Sequence, residues 1–132
     1  VLRDGWFRTG DIGRLDEQGL LHVLDRRDDL IVSGGENVYP AEVEAVLKEH
    51  AAVADAAVSG WPHERCGAVP VAAVVLEPNA MVDGATLRDH CRERLAAYKV
   101  PADIRAVRSL PRDGLGKLRR RELAVRQAQE TR

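Results

Sequence analysis

Residues 53–76, VADAAVSGWPHERCGAVPVAAVVL, decide the fold. They contain two runs rich in alanine and β-branched residues, Val53 to Val58 and Val69 to Leu76, and turn-forming residues bound each run. Such runs predict two strands of one sheet. Further along the chain, residues 104–108 alternate apolar and charged side chains, which predicts a half-exposed third strand.

Two amphipathic helices are predicted around this pair of strands. Before it, apolar residues recur at helical spacing behind Pro40, a residue suited to the first turn, so we predict a helix over about residues 40–50. After it, Asp83 is a candidate N-cap for a second helix that should stop before Pro101. The apolar stripe of that helix consists of Leu87, Cys91, Leu95 and Tyr98.

The ends of the chain complete the predicted architecture. Residues 12–24 read as a β-hairpin with Gly19 in its turn, and residues 33–37 as a tight turn between a strand and the first helix. A glycine-rich loop covers residues 110–116, and a short basic helix follows from Lys117 to about Gln127. We therefore predict an α+β fold: a small three-stranded sheet with flanking helices plus a β-hairpin.

Composition narrows the class of protein. A chain of 132 residues is long enough for one domain, and its net charge of −1 gives no overall attraction to nucleic acid or anionic lipid. The longest apolar stretch, residues 68–76, is half the ~18 residues that a membrane span needs. Two cysteines and four scattered histidines have no metal-binding spacing. We predict a cytoplasmic protein with no membrane span, no structural metal and no nucleic-acid partner.

Three short segments carry groups that can do chemistry. In residues 9–11, TGD, a turn presents a carboxylate that can accept hydrogen bonds from a diol such as ribose. In residues 33–37, SGGEN, two glycines allow close approach of a ligand to the backbone. In residues 114–117, GLGK, a lysine at the end of a glycine loop can stabilise negative charge on phosphate or carboxylate oxygens. Each segment alone is also compatible with an ordinary turn.

Taken together, these segments and their neighbours resemble a known family. In chain order, the stretches RTGD, DRRDDLIVSGGENVYPAEVE, YKVP and LPRDGLGKLRRREL resemble the C-terminal region of AMP-forming acyl-CoA synthetases, in the adenylate-forming ligase superfamily. The resemblance covers nearly the whole chain. It implies a ligase that uses ATP to convert an acid, fatty or aryl, into an acyl-adenylate and pyrophosphate, after which the CoA thiol displaces AMP.

The resemblance also implies residue roles. Asp11 resembles the carboxylate that holds the AMP ribose, and Arg26 the arginine that contacts ribose and phosphate. Asp28 falls at the hinge position on which the small C-terminal domain rotates between the two half-reactions. Lys117 matches the lysine that bridges carboxylate and α-phosphate oxygens during adenylation, which makes it the catalytic residue of this chain.

A second set of residues is implied for thioester formation. Gly34, Gly35 and Glu36 match the loop that lines the pantetheine tunnel, and Lys99 is placed with them as a phosphate partner for CoA. Two positions depart from the family pattern. Cys66 stands where several members have a tryptophan that stacks on the CoA adenine, and Val100 stands where an arginine is often found.

The implied organisation has two parts. Residues 1–25 would be the tail of a large N-terminal domain, and residues 26–132 a mobile C-terminal lid with its hinge near residues 25–29. ATP with magnesium would be bound mainly by that large domain, with CoA as a substrate and no cofactor bound tightly by this chain. The sequence begins without a methionine, so we expect it to be a fragment that is inactive alone.

Other interpretations stay open at the level of sequence. The acyl group can go to a carrier-protein phosphopantetheine or remain as the acyl-adenylate. A different class is a non-catalytic module that uses the basic residues 119–121 to bind nucleic acid or a partner protein, although an exposed helix face explains those charges as well. The expected partners are the N-terminal domain, the acid, ATP and CoA, together with a protein acetyltransferase that modifies Lys117.

Overall fold

The computed structural model describes residues 29–119 throughout and, ahead of them, residues 2–3, 6–7, 11–15, 17–18 and 21–26. The strands before residue 29 form two antiparallel pairs, described here by their backbone. These strands are β1 (Leu2–Arg3), β2 (Trp6–Phe7), β3 (Asp11–Leu15) and β4 (Leu21–Arg26). The β3–β4 pair is the hairpin that the sequence predicts.

A three-stranded sheet forms the centre of the domain, as predicted. A short hairpin precedes it in the chain and consists of β5 (Ile31–Ser33) and β6 (Glu36–Val38). The strands of the sheet are β7 (Val53–His63), β8 (Gly67–Leu76) and β9 (Asp103–Ala106). Strands β7 and β8 pair antiparallel, and β9 joins β8 in parallel.

Strand β7 is longer than the sequence predicts. Its pairing with β8 continues through Gly60, Trp61 and Pro62 to His63, so the turn falls at residues 64–66 instead. Because β7 is the edge strand of this sheet, Pro62 removes no N–H that a further strand would need.

Two helices cover one face of the sheet, α1 (Pro40–Lys48) and α2 (Gly84–Arg92). Asp83 caps α2 as predicted, since its carboxylate accepts a hydrogen bond from the Thr86 N–H at 2.8 Å. The hydrogen bond from the Thr86 side chain, and after it the one from the Thr86 N–H, lowers the pKa of Asp83. The helix stops before Pro101 as predicted, but it ends at Arg92, so the prediction that its stripe continues through Leu95 and Tyr98 is wrong. After α2 the chain turns through a 3₁₀ helix, Ala97–Lys99, because it must return to the sheet, where the Ala102 N–H donates to the Pro70 carbonyl at 2.8 Å.

The two faces of the sheet carry different groups. On the face that we call the helix face, even-numbered residues of β7 and β8 pack against α1, α2 and β5 in the main core. On the opposite face, which we call the loop face, Ala57 and Ala73 pack against Val107, Leu110 and Leu118. Cys91 lies in the main core as predicted, and burial raises the pKa of its thiol.

Candidate functional site

Gly34 and Gly35 form the two-residue turn that joins β5 to β6. Both have positive φ angles, +57° and +83°, which glycine adopts without strain and which a tight hairpin of this kind requires. The sequence predicts a strand-to-helix turn here, and that prediction is wrong. Strand β6 intervenes, because Ser33 pairs with Glu36 across the turn before the chain enters α1.

The tip of this hairpin rests on the turn between β7 and β8. The Gly34 N–H donates to the Cys66 carbonyl at 2.9 Å. His63 stabilises this turn between β7 and β8, because its Nδ1 accepts hydrogen bonds from the N–H groups of Arg65 and Cys66 at 3.2 Å each. Cys66, one of the departures from the family pattern, therefore lies directly beside the predicted tunnel loop.

Lys99 lies near the same hairpin, because the 3₁₀ helix that carries it contacts β6. Its ammonium donates to both carboxylate oxygens of Glu42, at 3.0 and 3.1 Å. This hydrogen bond is the main reason that the pKa of Lys99 is raised above its ordinary value. The predicted role as a phosphate partner therefore requires a phosphate to compete with Glu42.

The loop before Lys117 has a defined backbone conformation. Residues 112 and 118 pair as an antiparallel bridge, and Gly116, with φ at +83°, closes the turn between them. The Asp113 carboxylate accepts N–H bonds from Leu115 at 2.9 Å and from Lys117 at 3.0 Å. These bonds, with that of Lys117 first, lower the pKa of Asp113.

Lys117 itself projects from this loop. Its side chain is exposed, and its ammonium makes no hydrogen bond or ion pair with any residue in the described part of the chain. The prediction that a helix begins at Lys117 is wrong over residues 117–119, where the bridge with Arg112 continues the hairpin. The rest of that predicted helix lies outside the described residues.

The two loops lie on opposite faces of the sheet. The Gly34–Gly35 hairpin packs over the helix face, where Ile31 of β5 belongs to the main core and lies 3.3 Å from the position of a Cβ added at Gly60. The Lys117 loop packs over the loop face through Leu110 and Leu118. The first loop reaches the end of β7 and the second is bound near its start, at Asp55. The eight residue-to-residue steps from Asp55 to His63 along β7 correspond to about 25 Å.

The backbone register also joins two residues of the predicted nucleotide site. Asp11 and Arg26 are directly opposite each other in the β3–β4 pair. The two residues that the resemblance assigns to the nucleotide therefore start from adjacent backbone positions. Asp28, the predicted hinge residue, lies outside the described residues.

Three charged residues with defined contacts were not singled out from the sequence. Glu44 is 5% exposed, and its carboxylate accepts the Val58 N–H at 2.8 Å, which joins α1 to β7. Arg112 and Asp55 form an ion pair on the loop face, at 2.6 Å. Glu44 interrupts the apolar pattern on the buried side of α1, a signal that the sequence does contain. The Arg112–Asp55 pair spans 57 residues and leaves no local signal.

Within the described residues, no group of three or more His, Cys, Asp and Glu side chains is placed to hold a metal ion. The same part of the chain contains no helix long and apolar enough to cross a membrane.

The family model for the C-terminal domain of AMP-binding enzymes matches residues 42–117, more than half of the chain. The chain belongs to this family, and the predicted resemblance to the C-terminal domain of adenylate-forming ligases is confirmed. It is 62% identical over 123 residues to the 2-succinylbenzoate–CoA ligase of Geobacillus kaustophilus, a match that covers 93% of this chain and 25% of that ligase.

Solved structures agree with this assignment. The o-succinylbenzoate CoA synthetase of Bacillus subtilis, in complex with its acyl-adenylate intermediate, superimposes with a TM-score of 0.88 at 52% identity, over 92% of this chain and 25% of that one. ATP-bound MatB from Rhodopseudomonas palustris gives 0.90 at 36% identity, over 98% of this chain and 26% of that one. The chain thus spans about a quarter of the length of these relatives.

Proposed function

We propose that this chain is the C-terminal domain of a longer ligase that activates an aromatic carboxylic acid with ATP and transfers the acyl group to CoA. The observation that carries this proposal is the 62% identity to a 2-succinylbenzoate–CoA ligase. That identity favours an aryl acid, with 2-succinylbenzoate the first candidate, over the fatty acid that the sequence alone left open. It also favours a ligase over a nucleic-acid-binding module.

In this proposal the two loops serve different half-reactions. Lys117, whose ammonium makes no hydrogen bond or ion pair with the described residues, places a positive charge beside the carboxylate and α-phosphate oxygens as the acyl-adenylate forms. Asp11 and Arg26 hold the nucleotide. Gly34, Gly35 and Glu36 line the route of the pantetheine thiol in the second step.

The positions of the loops support a rotating domain. Two loops on opposite faces of one sheet and about 25 Å apart along a strand cannot face one active centre at the same time. We therefore propose that residues 26–132 turn as a lid on a hinge near residues 25–29, with Asp28 at its centre, while residues 1–25 stay with the large domain. A few linker residues are enough to absorb such a rotation.

Magnesium and most of the ATP contacts are assigned to the large domain. CoA enters as a substrate of the second step, and the cytoplasm, where ATP and CoA are available, is the proposed location.

The test is an ATP–pyrophosphate exchange assay on the full-length ligase with a panel of acids. We expect 2-succinylbenzoate to support exchange, and benzoate and a long-chain fatty acid to support it at least tenfold less well. Adding CoA or a carrier protein to the preformed acyl-adenylate then identifies the acceptor, and CoA is the expected one. Exchange with the fatty acid alone, or transfer to the carrier protein alone, would contradict the proposal.

Regulation by a protein acetyltransferase is part of the same proposal. The exposed Lys117 ammonium is accessible to such an enzyme in this domain, and acetylation would remove the charge that adenylation uses. Acetylated ligase should lose pyrophosphate exchange and keep thioester formation from supplied acyl-adenylate. Mass spectrometry that finds the acetyl group on another lysine would refute this part.

A further inference from the structure

We propose that Arg112 is a positioning residue for Lys117, acting together with Asp55 and Asp113. The inference rests on the proposed role of Lys117 in adenylation. It adds that the backbone from which this lysine extends is held by an ion pair to the sheet and by a carboxylate within the loop.

The Arg112 guanidinium binds two partners at once. Its Nη2 and Nε donate to Asp55 Oδ2, at 2.6 and 3.2 Å, and its Nη1 donates to the Gly116 carbonyl at 2.7 Å. Asp55 is fixed in its own right, because its other oxygen accepts the Ala56 N–H at 2.9 Å. Arg112 therefore connects strand β7, at a defined point, to the residue immediately before Lys117.

The peptide group between Gly116 and Lys117 is hydrogen-bonded to two charged side chains, Arg112 and Asp113. The carbonyl of the Gly116–Lys117 peptide accepts from Arg112, and the N–H of the same peptide donates to Asp113 at 3.0 Å. With both polar atoms bound, this peptide plane is oriented by the side chains of two neighbouring residues. The direction in which the Lys117 side chain leaves the backbone follows from that orientation.

This arrangement matters because a lysine side chain has a flexible four-carbon stem. A fixed starting point reduces the positions that the ammonium can reach, and misplacement of a reacting group by ~1 Å can cost ~10²-fold in rate. The stability of the fold depends far less on the Arg112–Asp55 ion pair. The Arg112 and Asp55 side chains are 35% and 28% exposed, and ion pairs in contact with solvent contribute little to the free energy of unfolding.

The experiment compares variants of the full-length ligase in both half-reactions. We choose Arg112→Gln and Asp55→Asn, with Lys117→Ala as the reference. Arg105→Gln is a matched control, since Arg105 pairs with Asp103 at 2.8 Å on the same sheet face and makes no hydrogen bond or ion pair with the described residues of the loop. The measurements are kcat and KM for ATP in pyrophosphate exchange, thioester formation from supplied acyl-adenylate, and the melting temperature.

Arg112→Gln should lower the exchange kcat about tenfold, a smaller loss than full misplacement of the lysine would give. The KM for ATP, the thioester step and the melting temperature should stay near those of the parent protein. Asp55→Asn should act in the same direction and less strongly. The double variant Arg112→Gln/Lys117→Ala should be no slower than Lys117→Ala alone, because Arg112 acts only through Lys117.

Several results would overturn the inference. They are an unchanged exchange rate in Arg112→Gln, equal losses in both half-reactions with a lowered melting temperature, or a further loss when Arg112→Gln is added to Lys117→Ala. In each of these cases Lys117→Ala still impairs exchange and the proposed function stands. If Lys117→Ala itself exchanges at the parent rate, the proposed function fails first.

Discussion

The Gly34–Gly35 turn and the Lys117 loop both reverse the chain through a glycine with positive φ, but different contacts hold them in place. Each contains a glycine with φ at +83°, Gly35 in the first and Gly116 in the second. The first turn is set by hairpin pairing and anchored by a backbone bond to Cys66. The second depends on charged side chains, with Asp113 inside the loop and Arg112 reaching across to the sheet.

This difference has a functional consequence. A turn of two glycines has no side chains, so its surface is open for close approach by a ligand, which suits a wall of a narrow tunnel. A loop held by side chains presents one long side chain in a defined direction, which suits delivery of a charge. The proposed roles in thioester formation and adenylation match these two properties.

Among the tests of this comparison, replacement of Lys117 should cause the largest loss of activity. Lys117→Ala should reduce pyrophosphate exchange in the full-length ligase by ~10²-fold or more, the size of losing one stabilising donor. Thioester formation from supplied acyl-adenylate should persist. Lys48→Ala, at an exposed lysine in the last turn of α1, is the control and should leave both rates unchanged. Equal losses in both half-reactions would make Lys117 a structural residue.

The free energy of unfolding should depend more on Glu44, on the helix face, than on Asp55, on the loop face. Glu44→Ala leaves the buried Val58 N–H without its acceptor and should lower the free energy of unfolding by ~2 kcal/mol. Asp55→Asn, on the loop face, should cost less than ~1 kcal/mol, because its ion pair is partly exposed. Urea denaturation of both variants measures these values. A larger loss for Asp55→Asn would mean that the loop is part of the folding core.

Substitution of Gly35 or Gly116 should slow one half-reaction and spare the other. Neither Gly35 nor Gly116 has an atom within 4 Å of the position of an added Cβ, so a substitution there strains only the backbone, by ~1–2 kcal/mol. Gly35→Val should slow thioester formation about tenfold and spare adenylation, and Gly116→Val should do the reverse. Single-turnover rates of each step provide the measurement. The same pattern in both variants would remove the distinction between the loops.

Most of the fold could be predicted because its signals are local. Alternation and β-branched runs identify the strands of the sheet, and Asp83 identifies the start of α2. The end of α2 could not be read in this way. Nothing in the stripe that includes Leu95 and Tyr98 reports that the chain must return to pair β9 with β8.

The candidate site was predictable where a motif carries it and not where contacts are distant. Lys117 and the two glycines of the first turn are recognisable within a few residues of sequence. The support of Lys117 is different, because Asp55 lies 57 residues from Arg112. Similarly, the ion pair of Lys99 with Glu42 joins two residues that are 57 positions apart in the sequence. Such pairs follow from tertiary structure, and a single sequence contains no periodicity that reports them.

The smallest expected effect is a pH dependence confined to the Lys117 loop. Because hydrogen bonds from the Lys117 and Leu115 N–H groups lower the pKa of Asp113, the loop prefers the ionised carboxylate. That stabilisation is complete above the ordinary aspartate pKa of ~3.9 and is lost as the pH falls through the lowered pKa. The Gly34 N–H, bound to a carbonyl, has no titrating partner.

Hydrogen exchange, followed by mass spectrometry and corrected for intrinsic rates, should therefore show protection at Leu115 and Lys117 that is constant from about pH 5 to pH 8 and declines below about pH 4. Protection at Gly34 should not follow that decline. Asp113→Asn is the control, since its amide does not titrate and its loop should show the same protection at every pH. If Gly34 lost protection together with Lys117, the cause would be unfolding of the domain, and the two loops would not differ in their dependence on charge.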